Sequence, residues 1–318
     1  MPFLGNPHVQ TLLANWPGEP ALPRPTRERH VLLPDGDRLV LHDSLPARWQ
    51  PGDRIALLVH GLGGSHRSGY LQRMARRLLA RGWRAVRMDL RGAGRGAALA
   101  RKTYNGGCSE DVRAAAAEVH SWSPASPLVL VGFSLGGNIV LKLAGEARSW
   151  PVPGLERVAA VCPPIDLGAC AARLGLPRHR FYERFFLRNL LDQVRRQQRF
   201  FPDLPRVRFP RRLTMRLFDD LYTAPRGGFA DALDYYRRAA ALPLVPHIAV
   251  PALLLAARDD PFITVEPFET LQAPPHVEVH VAPRGGHLGF LGWDGRRGVR
   301  WAEQRVFDWL TRSPLNPR

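Results

Sequence analysis

The sequence predicts an α/β protein: a doubly wound, mostly parallel sheet with a helical cap inserted between two core strands. Three observations lead there. Short, solidly apolar runs alternate with longer segments of helical periodicity. Several of those runs lack polar alternation, as strands covered by helices on both faces do. The alternation also breaks once, for roughly 80 residues, which is too long for a bare connecting loop.

Taken in order, residues 1–28 are proline-rich at their start and read as an ordered arm lying over the domain. Strands are then expected at 30–33 (HVLL), 38–43 (RLVLHD), 55–60 (IALLVH), 84–89 (RAVRMD), 127–132 (PLVLVG), 157–162 (RVAAVC), 252–257 (ALLLAA) and 277–282 (VEVHVA). Helical patterns fall at 69–81, 109–121, 136–147, 266–272 and 300–311. Strand–helix alternation of this kind makes a parallel sheet with helices on both faces. The core thus spans 29–165 and 247–318, and the cap 166–246, where FYERFFLRNLLDQVRRQ and GGFADALDYYRRAAA read as amphipathic helices. The cap aromatics Phe181, Tyr182, Phe185, Phe186, Tyr222, Tyr235 and Tyr236 fit either core packing or a substrate-facing lining.

A hydrophobic content of 45% and a charged content of 23% fit a soluble globular chain. The formal charge of +17 invites a nucleic-acid reading. Its make-up weakens that reading, because only Lys102 and Lys142 are lysines and the other 43 basic residues are arginines spread along the chain. No nucleic-acid-binding module is present in the pattern. The arginine clusters leave peripheral contact with anionic membrane open. Cys108, Cys162 and Cys170 are too few and too irregular for a disulfide framework or a zinc site, and they fit a reducing compartment. The N-terminal residues lack the basic start of a secretory signal, and no apolar run reaches the roughly 20 residues of a membrane span. The expected location is cytoplasmic.

Gly132-Phe133-Ser134-Leu135-Gly136 matches G-x-S-x-G where a strand passes into a helix. A serine lifted above the sheet in such a turn needs small neighbours, which Gly132, Gly136 and Gly137 supply. A hydroxyl is a weak nucleophile without a general base that a third group holds in place. Among 11 histidines, His287 follows the last expected strand in a glycine-rich loop, Pro283-Arg284-Gly285-Gly286-His287. Asp260, after ALLLAAR and before Pro261, is favoured as the acid over its neighbour Asp259, with Asp166 a weaker third choice. His60-Gly61-Leu62-Gly63-Gly64 follows a buried strand and can expose backbone N–H groups. The amides of Leu62 and Leu135 are the expected donors to an oxyanion. His60 and Asp89 read as organisers of their loops.

These segments, from about Arg29 to Leu310, resemble the α/β-hydrolase superfamily. More narrowly, NPHVQTLL, LVHGLGGS with SGY, GFSLGGN, FDDLYTAPRGGFADALDYY, ARDDPF and GGHLGFL resemble its YheT-like branch. The resemblance implies an α/β-hydrolase fold and a serine carboxylesterase or lipase-like enzyme. It implies no cofactor and no metal, a small-molecule or lipid ester as substrate, and Ser134, Asp260 and His287 as a catalytic triad. The family's loop after the fourth strand often carries asparagine before its R-G, where this chain has Asp89-Leu90-Arg91-Gly92. Two alternatives stay open on sequence: transfer of the acyl group to an alcohol, and a non-catalytic binder of RNA or anionic membrane. Acyl-chain length and oligomeric state are not legible.

Overall fold

The computed structural model describes residues 5–14, 22, 25–293 and 298–312. Its centre is a sheet of β1 (Thr26–Leu32), β2 (Arg38–Ser44), β3 (Ile55–Val59), β4 (Arg84–Asp89), β5 (Leu128–Phe133), β6 (Leu155–Val161), β7 (Ala252–Ala257) and β8 (Val277–Ala282). In space the order is β1-β2-β4-β3-β5-β6-β7-β8. β4, β3, β5, β6, β7 and β8 are parallel neighbours, whereas β2 pairs antiparallel with both β1 and β4. The helices are α1 (Pro7–Ala14), α2 (Gly69–Ala80), α3 (Ser109–Ser121), α4 (Leu135–Glu146), α5 (Leu167–Leu174), α6 (Arg180–Phe200), α7 (Met215–Phe218), α8 (Ala224–Gly227), α9 (Ala232–Ala239), α10 (Glu266–Thr270) and α11 (Trp301–Thr311). α2 and α11 cover one face of the sheet, and α3 and α4 the other.

The apolar runs become strands because both their faces are covered: β3, β4, β5 and β7 are buried from end to end. Two of the charged residues of β4, Arg84 and Asp89, are therefore paired inside the protein. Arg84 holds the Asp43 carboxylate with two bonds of 2.7 and 2.6 Å, between the rings of Trp49 and Trp122. In the loop after β4, Arg91 meets Asp35, Asp37 and Asp111 at 2.6–2.9 Å. A buried guanidinium is tolerated on these terms, since its loss of hydration is offset by carboxylates.

Two expectations shift. β1 begins at Thr26, earlier than the expected start at His30, because TRERH is an edge strand with one exposed face that pairs with β2 from Thr26↔Ser44 onward. A charged edge strand leaves no apolar run to read. The arm contains a helix, α1, while its residues 15–21 and 23–24 lie outside the described residues.

The segment between β6 and β7 is helical throughout its regular elements, from α5 to α9. FDDLYTAP forms a continuous stretch in which α7 and α8 are joined by a π-helical turn, Asp219–Thr223. The wider turn rotates Asp219 inward, where it is buried and accepts a 2.7 Å bond from the Tyr236 hydroxyl. Asn138, in the first turn of α4, ties this helical region to the core. Its Nδ2 donates to the carbonyls of Gly106 (2.9 Å) and Ala239 (2.8 Å), and its Oδ1 accepts from Ala241 N at 2.9 Å.

Replacing Asn138 by alanine strands three buried backbone groups. Asn138→Ala is expected to lower stability by about 3 kcal/mol. The readout is a lower urea midpoint at unchanged slope; an unchanged midpoint would refute this role. Burial pushes the Asp219 carboxyl from its ordinary 3.8 up to about 6. The native chain therefore holds that proton more tightly than the unfolded one, and stability falls as pH rises through this window. Asp219→Asn is expected to raise Tm above wild type at about pH 8 and to match it near pH 4. Equal gains at both pH values would contradict the assignment.

Candidate active site

Ser134 stands between β5 and α4 with φ 51° and ψ −125°. A non-glycine residue held there costs on the order of 1–3 kcal/mol. The turn closes only because its neighbours have no side chains. A Cβ on Gly136 would lie 2.5 Å from the His60 carbonyl, and one on Gly61 would lie 2.8 Å from Ser134 Cβ. Ser134 N donates to Val161 O at 2.8 Å, and Ser134 O accepts from Gly137 N at 2.7 Å.

The strand ends bring the expected side chains together. Ser134 Oγ lies 2.9 Å from His287 Nε2, and His287 Nδ1 lies 2.8 Å from Asp260 Oδ2. The carboxylate can only accept, so Nδ1 carries the imidazole proton and Nε2 is left to accept from the serine. Asp260 is fully buried, and its Oδ1 accepts from Phe262 N and Ile263 N at 3.1 and 3.0 Å. Asp259 does different work: its Oδ1 accepts from Gly285 N and Gly286 N, both at 2.8 Å, and so holds the loop that carries the imidazole. Asp166 is the N-cap of α5, accepting from Ala169 N at 2.9 Å.

Leu62 and Leu135 both flank Ser134 at a shared cavity. Among the described residues, neither amide donates to another group. The amides on either side of Leu62 are already used. Gly61 N donates to the Tyr70 hydroxyl at 3.1 Å, and Gly63 N donates to the Tyr104 hydroxyl at 2.7 Å. His60 is fully buried; its Nε2 accepts from Leu90 N at 3.1 Å, which leaves Nδ1–H to donate to Gly61 O at 2.7 Å. It fastens the loop and has no free nitrogen for proton transfer. Asp89 likewise serves its loop, accepting from His66 N at 2.7 Å and Arg95 N at 2.9 Å.

Sequence patterns assign no role to Tyr70, Tyr104 or Asn138, nor to α1, although SGY, GFSLGGN and NPHVQTLL belong to the segments that carry the resemblance. In α1, Thr11 Oγ1 accepts from His287 N at 2.9 Å, and Gln10 exchanges bonds with both N and O of Leu291. His8 Nδ1 and the Tyr182 hydroxyl are hydrogen-bonded at 2.8 Å. The start of the chain thus props up the loop carrying His287. In the sequence, NPHVQT reads only as part of an arm and as a marker of the family resemblance.

Ser134 opens onto two cavities. One, of about 120 Å³, is lined mainly by apolar side chains including Leu135, Leu167, Leu174, Met215 and Ile263, with Asp219 in its wall. The other, about 450 Å³, runs past Leu12, Phe181, Phe185, Asn189 and His287. The cap aromatics divide accordingly. Tyr235 and Tyr236 line the first cavity, Phe181, Tyr182 and Phe185 the second, and Phe186 both. Tyr222 packs against Phe209 and Phe218. Cys162 reaches Asp260 and His287 closely enough to resemble a ligand set. Burial and the nearby Asp260 charge push its thiol well up, while Asp260 and His287 are already hydrogen-bonded to each other. No described helix is long and apolar enough to cross a membrane.

A family model described as "Alpha/beta hydrolase family" matches residues 56–298. The chain is 34% identical to the candidate esterase YheT of Escherichia coli over 96% of its own length and 90% of that protein's. It is 27% identical to a monoacylglycerol lipase of Saccharomyces cerevisiae, over 84% of its own length and 59% of the lipase's. Among solved structures, the esterase Pf2001 of Pyrococcus furiosus shares the fold with a TM-score of 0.58 at 18% identity, covering 90% of each chain. With its sheet order, its serine turn and these likenesses, the chain belongs to the α/β hydrolase family, in the branch that contains YheT.

Proposed function

We propose that this protein hydrolyses carboxylic esters through an acyl-enzyme formed on Ser134. The observation that carries the reading is the hydrogen-bonded chain from Ser134 Oγ through His287 to Asp260, with two unused amides beside the serine. Ser134 Oγ attacks the acyl carbon as its proton passes to His287 Nε2. Asp260 keeps the imidazole in the required tautomer and balances the imidazolium charge. The amides of Leu62 and Leu135 receive the oxyanion, where fixed donors act at little reorganisation cost. Collapse expels the alcohol, protonated by His287. The same imidazole then takes a proton from water, whose hydroxyl attacks the acyl-enzyme and releases the acid.

The two cavities suggest a division of the substrate. The small apolar one suits a short to medium acyl chain, and the larger one suits the alcohol. Names among the relatives, an esterase and a monoacylglycerol lipase, agree with an ester or acylglycerol-like substrate.

A fluorophosphonate probe is expected to label Ser134, with adduct mapping as the check. Ser134→Ala should abolish labelling and cut kcat on p-nitrophenyl esters by about 10⁴-fold or more. Asp260→Asn should cost about 10⁴-fold, because the wrong tautomer of His287 is then favoured. Retained activity in either variant would overturn the scheme. Ala171 lines the small cavity. Ala171→Phe should therefore lower kcat/KM for medium-chain esters about tenfold relative to acetyl esters. A uniform effect across chain lengths would place the acyl group elsewhere.

A further inference from the structure

Away from Ser134, a solvent-open cavity of about 780 Å³ lies against β2, β4 and α2, and Arg67, Arg87, Arg95, His42 and His66 line it. Arg87 distinguishes this cavity from an ordinary basic surface. Five arginines are buried among the described residues. Four of them meet carboxylates: Arg73 with Glu303, Arg84 with Asp43, Arg91 with its three aspartates, and Arg157 with Glu156. Arg87, only 5% exposed, has none. Its Nη1 donates to His66 O at 3.0 Å and its Nη2 to Thr26 Oγ1 at 3.2 Å, while Nε is buried with no partner. Asp89 offsets part of this charge without pairing with it; a buried charge so incompletely balanced is costly, and this one lines a cavity large enough to admit an anion.

The rim agrees. Arg67 is exposed and makes no ion pair among the described residues. Arg95 pairs with Glu28 at 3.1 Å, and Glu28 is the acidic residue on the rim among the described residues. The other carboxylate nearby, Asp89, is saturated: besides two backbone amides it receives His42 Nε2 at 3.0 Å and His66 Nδ1 at 2.8 Å. His42, His66 and Asp89 look like a metal triad, but the two imidazoles are stacked, with centroids 3.4 Å apart and planes 16° from parallel. Lone pairs in parallel planes do not converge, so no ion reaches both nitrogens at the roughly 2 Å of a zinc–imidazole bond. Three surrounding guanidinium groups oppose a cation further.

We propose that this cavity binds a phosphoryl group, with Arg87 as its buried counter-charge and Arg67 and Arg95 closing over it. A phosphoryl group offers the several anionic oxygens that guanidinium groups approaching from different sides require, where a carboxylate offers two. The site stands whether or not Ser134 is a nucleophile.

The test is calorimetric titration of the full chain with inorganic phosphate and with glycerol 3-phosphate. A co-sedimentation arm uses phosphatidylcholine vesicles with and without phosphatidate. Saturable phosphate binding is expected, weakened at least about tenfold in Arg87→Met. Should that variant fail to fold, as judged by circular dichroism, the doubly exposed Arg67→Ser/Arg95→Ser protein decides, with the same loss expected. Sedimentation with phosphatidate vesicles that is lost in the variants assigns the phosphoryl group to a lipid headgroup. Binding of glycerol 3-phosphate without sedimentation assigns it to a soluble phosphate ester. Absence of phosphate binding, equal binding in wild type and variants, or zinc binding that depends on His42 and His66 would each overturn the proposal.

Discussion

A backbone at φ 51° does not persist at Ser134 unless its neighbours leave the chain no alternative. The ends of β3, β5 and β6 converge on that turn. Val161 at the end of β6 accepts from Ser134 N, and the end of β3 and the following loop press so closely on Gly136 that no side chain fits there. Behind the turn, Phe133 packs on Tyr70 at a ring separation of 4.8 Å, and the hydroxyl of that tyrosine takes up Gly61 N. The strain at the serine and the order of the glycine-rich loop are thus sustained by the same side chains. Loosening either would release the other.

The imidazole side of the site is fixed over a longer range. His287 lies on a loop after β8, and a glycine-rich loop by itself would sample many conformations. Asp259 takes two of its amides, and Thr11 takes a third from the opposite end of the sequence. Phe262 packs on the ring of His287 at 4.2 Å. The two adjacent aspartates after β7 consequently have complementary roles. Asp260 orients the ring, while Asp259 orients the backbone that bears it. Exchanging their roles would require the strand to end one residue earlier, which the β7–β8 register to Ala257↔Ala282 prevents.

The sheet was legible because its central strands are solid apolar runs, and the juxtaposition at the candidate site because Ser134, Asp260 and His287 each follow a strand end. The edge of the sheet was not, since Arg27, Glu28 and Arg29 show no hydrophobic signal on a strand with an exposed face. Tyr70 and Tyr104 were illegible for another reason. Each belongs to its segment's own pattern, and only the packed fold brings both hydroxyls onto amides of one loop. The π turn at Asp219 escapes periodicity reading as well, because one widened turn displaces the inward face without changing the composition. Features fixed by strand order could be read; features fixed by where a side chain ends in space could not.

The loop from His60 to Arg67 also joins two regions of unlike electrostatic character. At one end Leu62 lines the apolar cavity beside Ser134; at the other, His66 and Arg67 line the basic cavity with Arg87. Asp89 holds the far end through His66 N and Nδ1, and its ionised form is strongly favoured despite burial, which opposes it, because four donors converge on it. A neutral residue of similar size there could accept fewer of those bonds and would remove a negative charge that favours the Arg87 guanidinium. Asp89 therefore does two things at once. It anchors the loop that positions Leu62, and it partly balances a buried guanidinium whose remaining charge faces an open cavity.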